Sequence, residues 1–194
     1  MTFSTFQIYL RAFFPSVPMW HWVVMGVVAL ALTVGLIGRK RFSVYGAIAL
    51  GVAVFMGLYL LDALALVRIG VRWVEHPGID LGAELRRITS GNEENLMLML
   101  FNTAVFALFG LALGMFLRST GMDFWRCLGQ VTLVAFGLSL CIECIQWALH
   151  VGIFEVTDLV LNTVGALAGI GLSEMGWIVF GWVKGGIKIL ILLP

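Results

Sequence analysis

Residues 139–169 read SLCIECIQWALHVGIFEVTDLVLNTVGALAG, which is two apolar segments joined by a short turn. On the first segment, polar side chains recur at i, i+4, i+7 and i+11: Ser139, Glu143, Gln146 and His150. The second segment repeats this spacing with Asp158, Asn162, Gly165 and Gly169. Because this spacing marks one face of a helix, the stretch predicts two consecutive helices whose polar stripes face each other.

The composition around this stretch is that of a membrane protein. Of 194 residues, 61% are hydrophobic and 12% are charged, and the mean hydropathy is +1.03. A soluble domain carries about twice that share of charged residues. The net charge of +1 indicates no acidic polymer as a partner. There is also no basic aromatic patch of the kind that binds nucleic acid, so we expect no nucleic-acid partner.

Long apolar runs predict five membrane spans. They cover residues 19–38, 42–67, 95–117 and 128–149, and a fifth run begins at residue 157 or 158 and continues at least to 173 and at most to 183. The stretch 177–193 carries Lys184 and Lys188 and is interpreted as an interfacial helix end, with a sixth span as the alternative. The predicted fold is all-α, a polytopic membrane helical bundle of about five transmembrane helices, in a single domain over residues 1–194.

Two motifs resemble the VanZ-like family of small bacterial membrane proteins. The first is Glu143-x2-Gln146, followed after a turn by Phe154-Glu155-x2-Asp158-x3-Asn162-x2-Gly165. The second, Asn102-x3-Phe106-x-Leu108-x-Gly110, is similar to the family's Asn-x3-Phe-x-Pro-x-Gly helix. The resemblance covers residues 95–173. The chain has Leu108 where the family usually has proline, Gly152 where a basic residue often sits, and Glu155 where Asp is commoner.

The resemblance implies a role in the cell envelope, since the family is named for a protein linked to teicoplanin resistance. It implies a multi-pass protein of the bacterial cytoplasmic membrane. Its partners would be membrane lipid and a lipid-linked cell-wall precursor or a glycopeptide. No cofactor is expected. A membrane-embedded enzyme acting on such a precursor and a small proton-coupled carrier or flippase are the alternative hypotheses, and the sequence does not decide whether the protein is catalytic.

The candidate ligand-binding residues are the polar ones within the spans: Glu143, Gln146, Asp158, Asn162 and Asn102. Glu143 lies about two turns, roughly 9–10 Å, below the end of its predicted helix, which is too deep for a short side chain to reach water easily. An acid at this depth suggests a functional site, and the alternative is a structural hydrogen bond. Asp158 is either a cap of its helix or a ligand group. Asn102 either completes the site or makes a simple interhelical hydrogen bond.

Small residues four apart predict close helix packing. These are Gly110 and Gly114 in the third span, and Gly165 and Gly169 in the fifth. We expect Gly165 to lie between the fourth and fifth helices, because it shares the stripe of Asp158 and Asn162.

Three cysteines, Cys127, Cys141 and Cys144, form no disulfide framework. The pair Cys141-x2-Cys144 resembles half of a zinc or redox site, but no second pair accompanies it, and we interpret both as small packing residues. No metal site is expected.

Positive charges predict the orientation. Arg39, Lys40, Arg41, Arg118, Arg126, Lys184 and Lys188 fall on one side of the five spans. That side is expected to be cytoplasmic, so the 143–158 turn and residues 68–94 would face outward. A cluster between Arg68 and Arg87 has two interpretations, pairing with Asp62 or attraction of lipid or precursor phosphate.

Overall fold

The computed structural model describes residues 17–37, 39, 43–63, 86, 89, 90 and 93–192, with the backbone alone at 94, 95, 98 and 179–192. Within these residues the chain forms five long α-helices and no strand. They are α1 (Met19–Ile37), α2 (Val44–Leu61), α3 (Glu93–Ser119), α4 (Phe124–Ala148) and α5 (Val156–Leu192). The predicted all-α fold is confirmed.

All five helices are long and apolar enough to cross a membrane. The crossing segments are Met19–Ile37, Val44–Leu61, Met99–Ser119, Phe124–Ala148 and Val156–Ile178. The protein is therefore a multi-pass membrane protein. Helix α5 continues without interruption to Leu192, past the predicted end of the fifth span. At 1.5 Å per residue its 37 residues extend about 56 Å, whereas the hydrocarbon core of a bilayer is about 30 Å thick.

Helices α3 and α5 share the most extensive contact of the bundle. Helix α2 packs on α3, α1 packs on α2, and α4 packs chiefly on α5. The core between them is apolar, and Phe106 of α3, Leu60 of α2, Ile142 of α4 and Ile170 of α5 are fully buried or nearly so. The centre of the bundle is thus the α3–α5 pair, to which the other helices attach.

Glycines bring the backbones of α3 and α5 into direct contact. A Cβ atom at Gly169 would collide with the carbonyl oxygen of Ala107 and would lie 2.6 Å from the backbone nitrogen of Leu111. A Cβ at Gly165 would meet the carbonyl of Thr103, and one at Gly110 would meet that of Ala166. Gly114 faces Ser173, whose hydroxyl oxygen would lie 2.9 Å from an added Cβ.

The expectation that Gly165 separates α4 from α5 is therefore wrong, because its nearest neighbours belong to α3. A stripe at i, i+4, i+7, i+11 is broad enough for its residues to contact two neighbouring helices. Asn162 turns toward α4, while Gly165, less than one turn further along, lies against α3.

On the side of the bundle opposite residues 149–155, polar contacts hold the end of α3, the start of α4 and the middle of α5. Gly121 turns the chain between α3 and α4 with a φ of 85°, a conformation that L side chains adopt at a cost. The side chain of Asp123 caps α4 by accepting from the backbone N–H of Arg126 at 3.1 Å. The Arg118 guanidinium of α3 pairs with the Glu174 carboxylate of α5 at 2.6 Å, which joins the two central helices.

Candidate functional site

The deepest polar contact between α4 and α5 is a hydrogen bond between two buried side chains. The Nδ2 of Asn162 donates to the Oγ of Ser139 at 3.0 Å. Both residues are excluded from the surface, with Ser139 at 0% and Asn162 at 2% exposure. Asn162 was predicted as a candidate, whereas Ser139 was recognised only as part of the stripe. Each sits on an apolar helix, so the bond fixes the relative rotation of α4 and α5.

Glu143 lies one turn from Ser139, toward the short connection between α4 and α5. Its side chain is buried, with 3% exposure. One carboxylate oxygen accepts a hydrogen bond from the backbone N–H of Glu155 at 2.7 Å. Glu155 directly precedes α5, so the carboxylate sits at the positive end of the helix dipole, where a negative charge is stabilised. This contact explains how an acid can be held inside the bundle.

Helix α4 ends in a Schellman motif, which begins the connection between α4 and α5. The N–H of His150 donates to the carbonyl of Trp147 at 3.2 Å, and the N–H of Val151 donates to that of Gln146 at 2.9 Å. His150 takes the left-handed conformation that the motif requires, with a φ of 56°. Val151 is buried. His150 is the last member of the first polar stripe in the sequence, and in the structure it forms the turn that ends α4.

Gln146 lies beneath this turn and is 7% exposed. Its side chain fills the space next to Gly152, where an added Cβ would lie 2.8 Å from Oε1. Gly152 occupies the position at which the family often has a basic residue. Any side chain there would have to displace the amide of Gln146.

Asn102 and Asp158 form a second interhelical contact, between α3 and α5. The Nδ2 of Asn102 donates to Oδ2 of Asp158 at 3.2 Å. Asp158 precedes Asn162 by one turn on the same helix, so this contact adjoins the one at Ser139. The sequence left open whether Asn102 completes a site or makes an interhelical hydrogen bond, and the structure places it in such a bond.

We call these six residues the polar cluster: Asn102, Ser139, Glu143, Gln146, Asp158 and Asn162. The cluster lies where α3, α4 and α5 meet, below residues 149–155. Two of its amide oxygens, Oδ1 of Asn102 and Oδ1 of Asn162, are buried and accept no hydrogen bond in the described part of the chain. The cluster as a whole holds two carboxylates, three side-chain amides and one hydroxyl.

No three of His, Cys, Asp and Glu converge as metal ligands among the described residues. Cys127 is buried, but Cys141 and Cys144 are exposed on α4. The interpretation of the Cys141–Cys144 pair as packing residues is therefore wrong, since both side chains point away from the core. Their spacing of three gave no information about which face of α4 carries them.

A second buried acid, Asp62, has a partner that the sequence did not indicate. Asp62 follows α2, and its carboxylate is hydrogen-bonded to Nδ1 of His21 on α1 at 2.6 Å. The partners predicted for Asp62 belong to the cluster between Arg68 and Arg87, of which the structure describes Arg86 alone. His21 stands alone in an apolar run, so no spacing pattern indicated it. Tyr59 stacks on Trp22 beside this pair, with ring centroids 5.2 Å apart.

The VanZ/LLP1 family model matches residues 67–179. The chain belongs to the VanZ/LLP1 family. The matched segment contains the whole polar cluster and the α3–α5 glycine contact. Searches of the curated proteins and of the solved structures each found no match to the chain. Family membership together with five apolar helices identifies a VanZ-like membrane protein.

Proposed function

We propose that this protein binds a lipid-linked or glycopeptide-like ligand of the bacterial cell envelope at the polar cluster. Binding at this site would confer tolerance to glycopeptide antibiotics. The protein would act in the bacterial cytoplasmic membrane, with the cluster toward the outer leaflet. The distribution of positive charge supports this orientation, since Arg39, Arg118 and Arg126 lie at the opposite end of the bundle from the cluster.

Glu143 is the observation that carries the proposal. A carboxyl group inside a membrane span is costly, and such groups usually mark ligand or ion sites. The described partner of its Oε2 is a backbone N–H, a donor that a neutral glutamine oxygen at this position can accept equally well. This hydrogen bond therefore does not need the negative charge. The presence of an acid here is explained if the charge acts on a ligand.

The test is Glu143→Gln, assayed as glycopeptide tolerance in a bacterial host that expresses the protein. Glutamine keeps the size of the side chain and an acceptor for the Glu155 N–H, but it removes the charge and the titration. We expect normal expression and an unchanged melting temperature, with tolerance lost. Full tolerance in the variant would contradict a charged binding site.

Glu174→Gln is the matched control. Glu174 is also an acid on a membrane helix, but it pairs with Arg118 near the middle of α5, away from the polar cluster. We expect its replacement to lower the melting temperature, because it breaks a partly buried ion pair, and to leave tolerance intact at matched expression. The two variants together separate loss of function from loss of stability.

A further inference from the structure

We propose that a groove on the surface of α2 and α3 binds one acyl chain of an anionic phospholipid, with the headgroup at the end of the bundle that carries Arg39. We call it the lateral groove, and residues 45–56 of α2 and 108–115 of α3 line it. None of the described lining residues belongs to the polar cluster. The site is therefore separate from the one proposed above and goes beyond it.

The floor of the lateral groove is made of small residues and its edges of large ones. Ala49 of α2 and Ala112 of α3 are buried, each with 5% exposure. Ile48 and Val52 on α2 and Leu108 on α3 stand beside them and are about half exposed. Because these residues belong to segments that cross the membrane, their exposed sides face the hydrocarbon of the lipid. The groove is thus open to acyl chains along its length.

At one end the lateral groove deepens into a cavity of about 630 Å³ between α2, α3 and α5. The two are continuous, because Tyr45, Leu111 and Met115 line both. Leu172 and Trp177 of α5 form the far wall of the cavity. Pockets that hold small molecules have volumes of about 300–1,000 Å³. The cavity therefore has room for the glycerol end of a lipid whose chain lies in the groove.

The length of the lateral groove matches one leaflet of a bilayer. The groove runs along α2 from Tyr45 to Met56, and the residue steps between them, at 1.5 Å each, add up to about 16 Å. The hydrocarbon core of a bilayer is about 30 Å thick, so each leaflet contributes about 15 Å. An extended acyl chain of one leaflet, lying parallel to α2, would therefore fill the groove from end to end.

The cavity end of the groove has the features of the membrane–water boundary. Ser43 lines the cavity, and its Oγ accepts from the backbone N–H of Gly46 at 3.0 Å, so its hydroxyl can donate to a ligand. Tyr45 meets Trp177 edge to face, with ring centroids 6.1 Å apart. Tyrosine and tryptophan concentrate where a membrane meets water. A lipid here would place its polar end at Ser43 and its chain toward Met56.

The sequence beside this end carries positive charge. Arg39, Lys40 and Arg41 closely precede Ser43, and no acidic residue occurs between positions 38 and 61. Arg39 is exposed, while Lys40 and Arg41 lie outside the described residues. Basic residues next to a membrane helix attract anionic headgroups, and the arginine guanidinium matches the geometry of phosphate.

Two acids at the same end do not offset this charge, because each has an arginine of its own. Glu174 pairs with Arg118 at 2.6 Å, and Asp123 pairs with Arg126 at 3.2 Å. The run at 39–41 therefore keeps its attraction for an anion, and we expect an anionic phospholipid rather than a zwitterionic one.

The experiment is a titration of the purified, delipidated full chain in detergent, measured by native mass spectrometry. The probes are phosphatidylglycerol and phosphatidylcholine with identical oleoyl chains, which differ only in the headgroup. We expect one phosphatidylglycerol to bind saturably, at concentrations at which phosphatidylcholine does not bind.

Val52→Trp tests the position of the chain. Val52 is 47% exposed, so a larger side chain there fills the groove without entering the core. We expect phosphatidylglycerol to bind at least about fivefold more weakly, the factor equivalent to the lower limit of about 1 kcal/mol for overpacking. Val27→Trp is the matched control, because Val27 is 59% exposed on α1 and does not line the groove. It should leave lipid binding unchanged.

If Val52→Trp does not yield folded protein, Leu108→Trp places the same side chain on the opposite edge, with the same expected loss. Equal binding of the two lipids to the unmodified chain would overturn the proposal, and so would unaltered phosphatidylglycerol binding in folded Val52→Trp or Leu108→Trp. An equal loss in Val27→Trp would also overturn it, since the effect would not belong to the groove. These variants leave the polar cluster intact, so their outcomes are independent of the tolerance assay.

Discussion

Helix α5 contacts α3 and α4 by opposite means. Toward α3 it presents Gly165 and Gly169, and the two backbones touch. Toward α4 it presents Asn162, whose side chain donates a hydrogen bond to Ser139. The first contact tolerates no added atom but imposes no chemical requirement beyond small size. The second is made by two buried side chains and requires particular hydrogen-bonding groups. One face of α5 is therefore constrained by the size of its residues, and the other by their hydrogen-bonding groups.

The largest loss of stability is expected from a substitution in the glycine contact between α3 and α5. Gly169→Ala places a Cβ against the carbonyl of Ala107, where only backbone movement can make room. Overpacking of this kind costs about 1–3 kcal/mol and occasionally more, and we expect the upper end of that range. The measurement is the melting temperature of the purified protein in detergent.

Gly171→Ala is the control for this variant, because an added Cβ at Gly171 has no neighbour within 4 Å. There the change should be neutral or stabilising by up to about 1 kcal/mol, since alanine is the better helix former. Equal losses in the two variants would mean that the α3–α5 contact is not made by the backbones.

A smaller effect is expected at the Ser139–Asn162 hydrogen bond. Removing a partner from a buried bond costs about 1–3 kcal/mol because the other group is left unsatisfied. A double-mutant cycle of Ser139→Ala and Asn162→Ala should give a coupling energy of about 0.6 kcal/mol, the average for such bonds between membrane helices. Reversible unfolding in mixed detergent provides the free energies.

Thr132→Ala replaces Ser139→Ala in the control cycle. Thr132 is also a hydroxyl residue of α4, but its Oγ1 donates to the carbonyl of Leu128 within the same helix. The change that Thr132→Ala makes in the free energy of unfolding should simply add to that of Asn162→Ala, with no coupling energy. A coupling energy as large as that with Ser139 would show that the cycle reports a general response of α4 rather than one bond.

The smallest effect on stability is expected at Gly152. An added methyl group would lie 2.8 Å from Oε1 of Gln146, which is the end of a flexible side chain. Because a side chain can shift more easily than a backbone, Gly152→Ala should cost less than the about 1–3 kcal/mol of an overpacked backbone contact. A fall in melting temperature comparable with that of Gly169→Ala would show that the polar region is as rigid as the glycine contact.

The sequence was sufficient to predict the helices, because each span is a long apolar run bounded by charge or by a turn. Their ends shifted by a few residues, and α5 proved much longer than expected, since nothing between Ser173 and Leu192 breaks a helix. The face of each stripe was also predictable from its spacing.

Which side chains meet between the helices was not predictable, because these contacts depend on how each helix is rotated against its neighbours. The spacing placed Gly165 and Asn162 on one face of the helix. It could not show that Gly165 contacts α3 while Asn162 contacts α4. The Glu155 N–H that meets Glu143 is a backbone group and has no signature in the sequence. His21 was missed because a single histidine in an apolar helix forms no pattern, and its pairing with Asp62 depends on the α1–α2 contact.

The partners of the buried groups on α4 have a consequence for biogenesis. An acid at the centre of an isolated membrane helix costs about 3 kcal/mol to insert, and Glu143 lies within two turns of the end of α4. The Glu143 carboxylate, however, meets a group only 12 residues further along the chain, and Ser139 meets one 23 residues further. During synthesis, α4 and α5 can therefore leave the translocon together as a helical hairpin whose polar groups are already matched. The acid enters the lipid as part of that hairpin, before docking on α3.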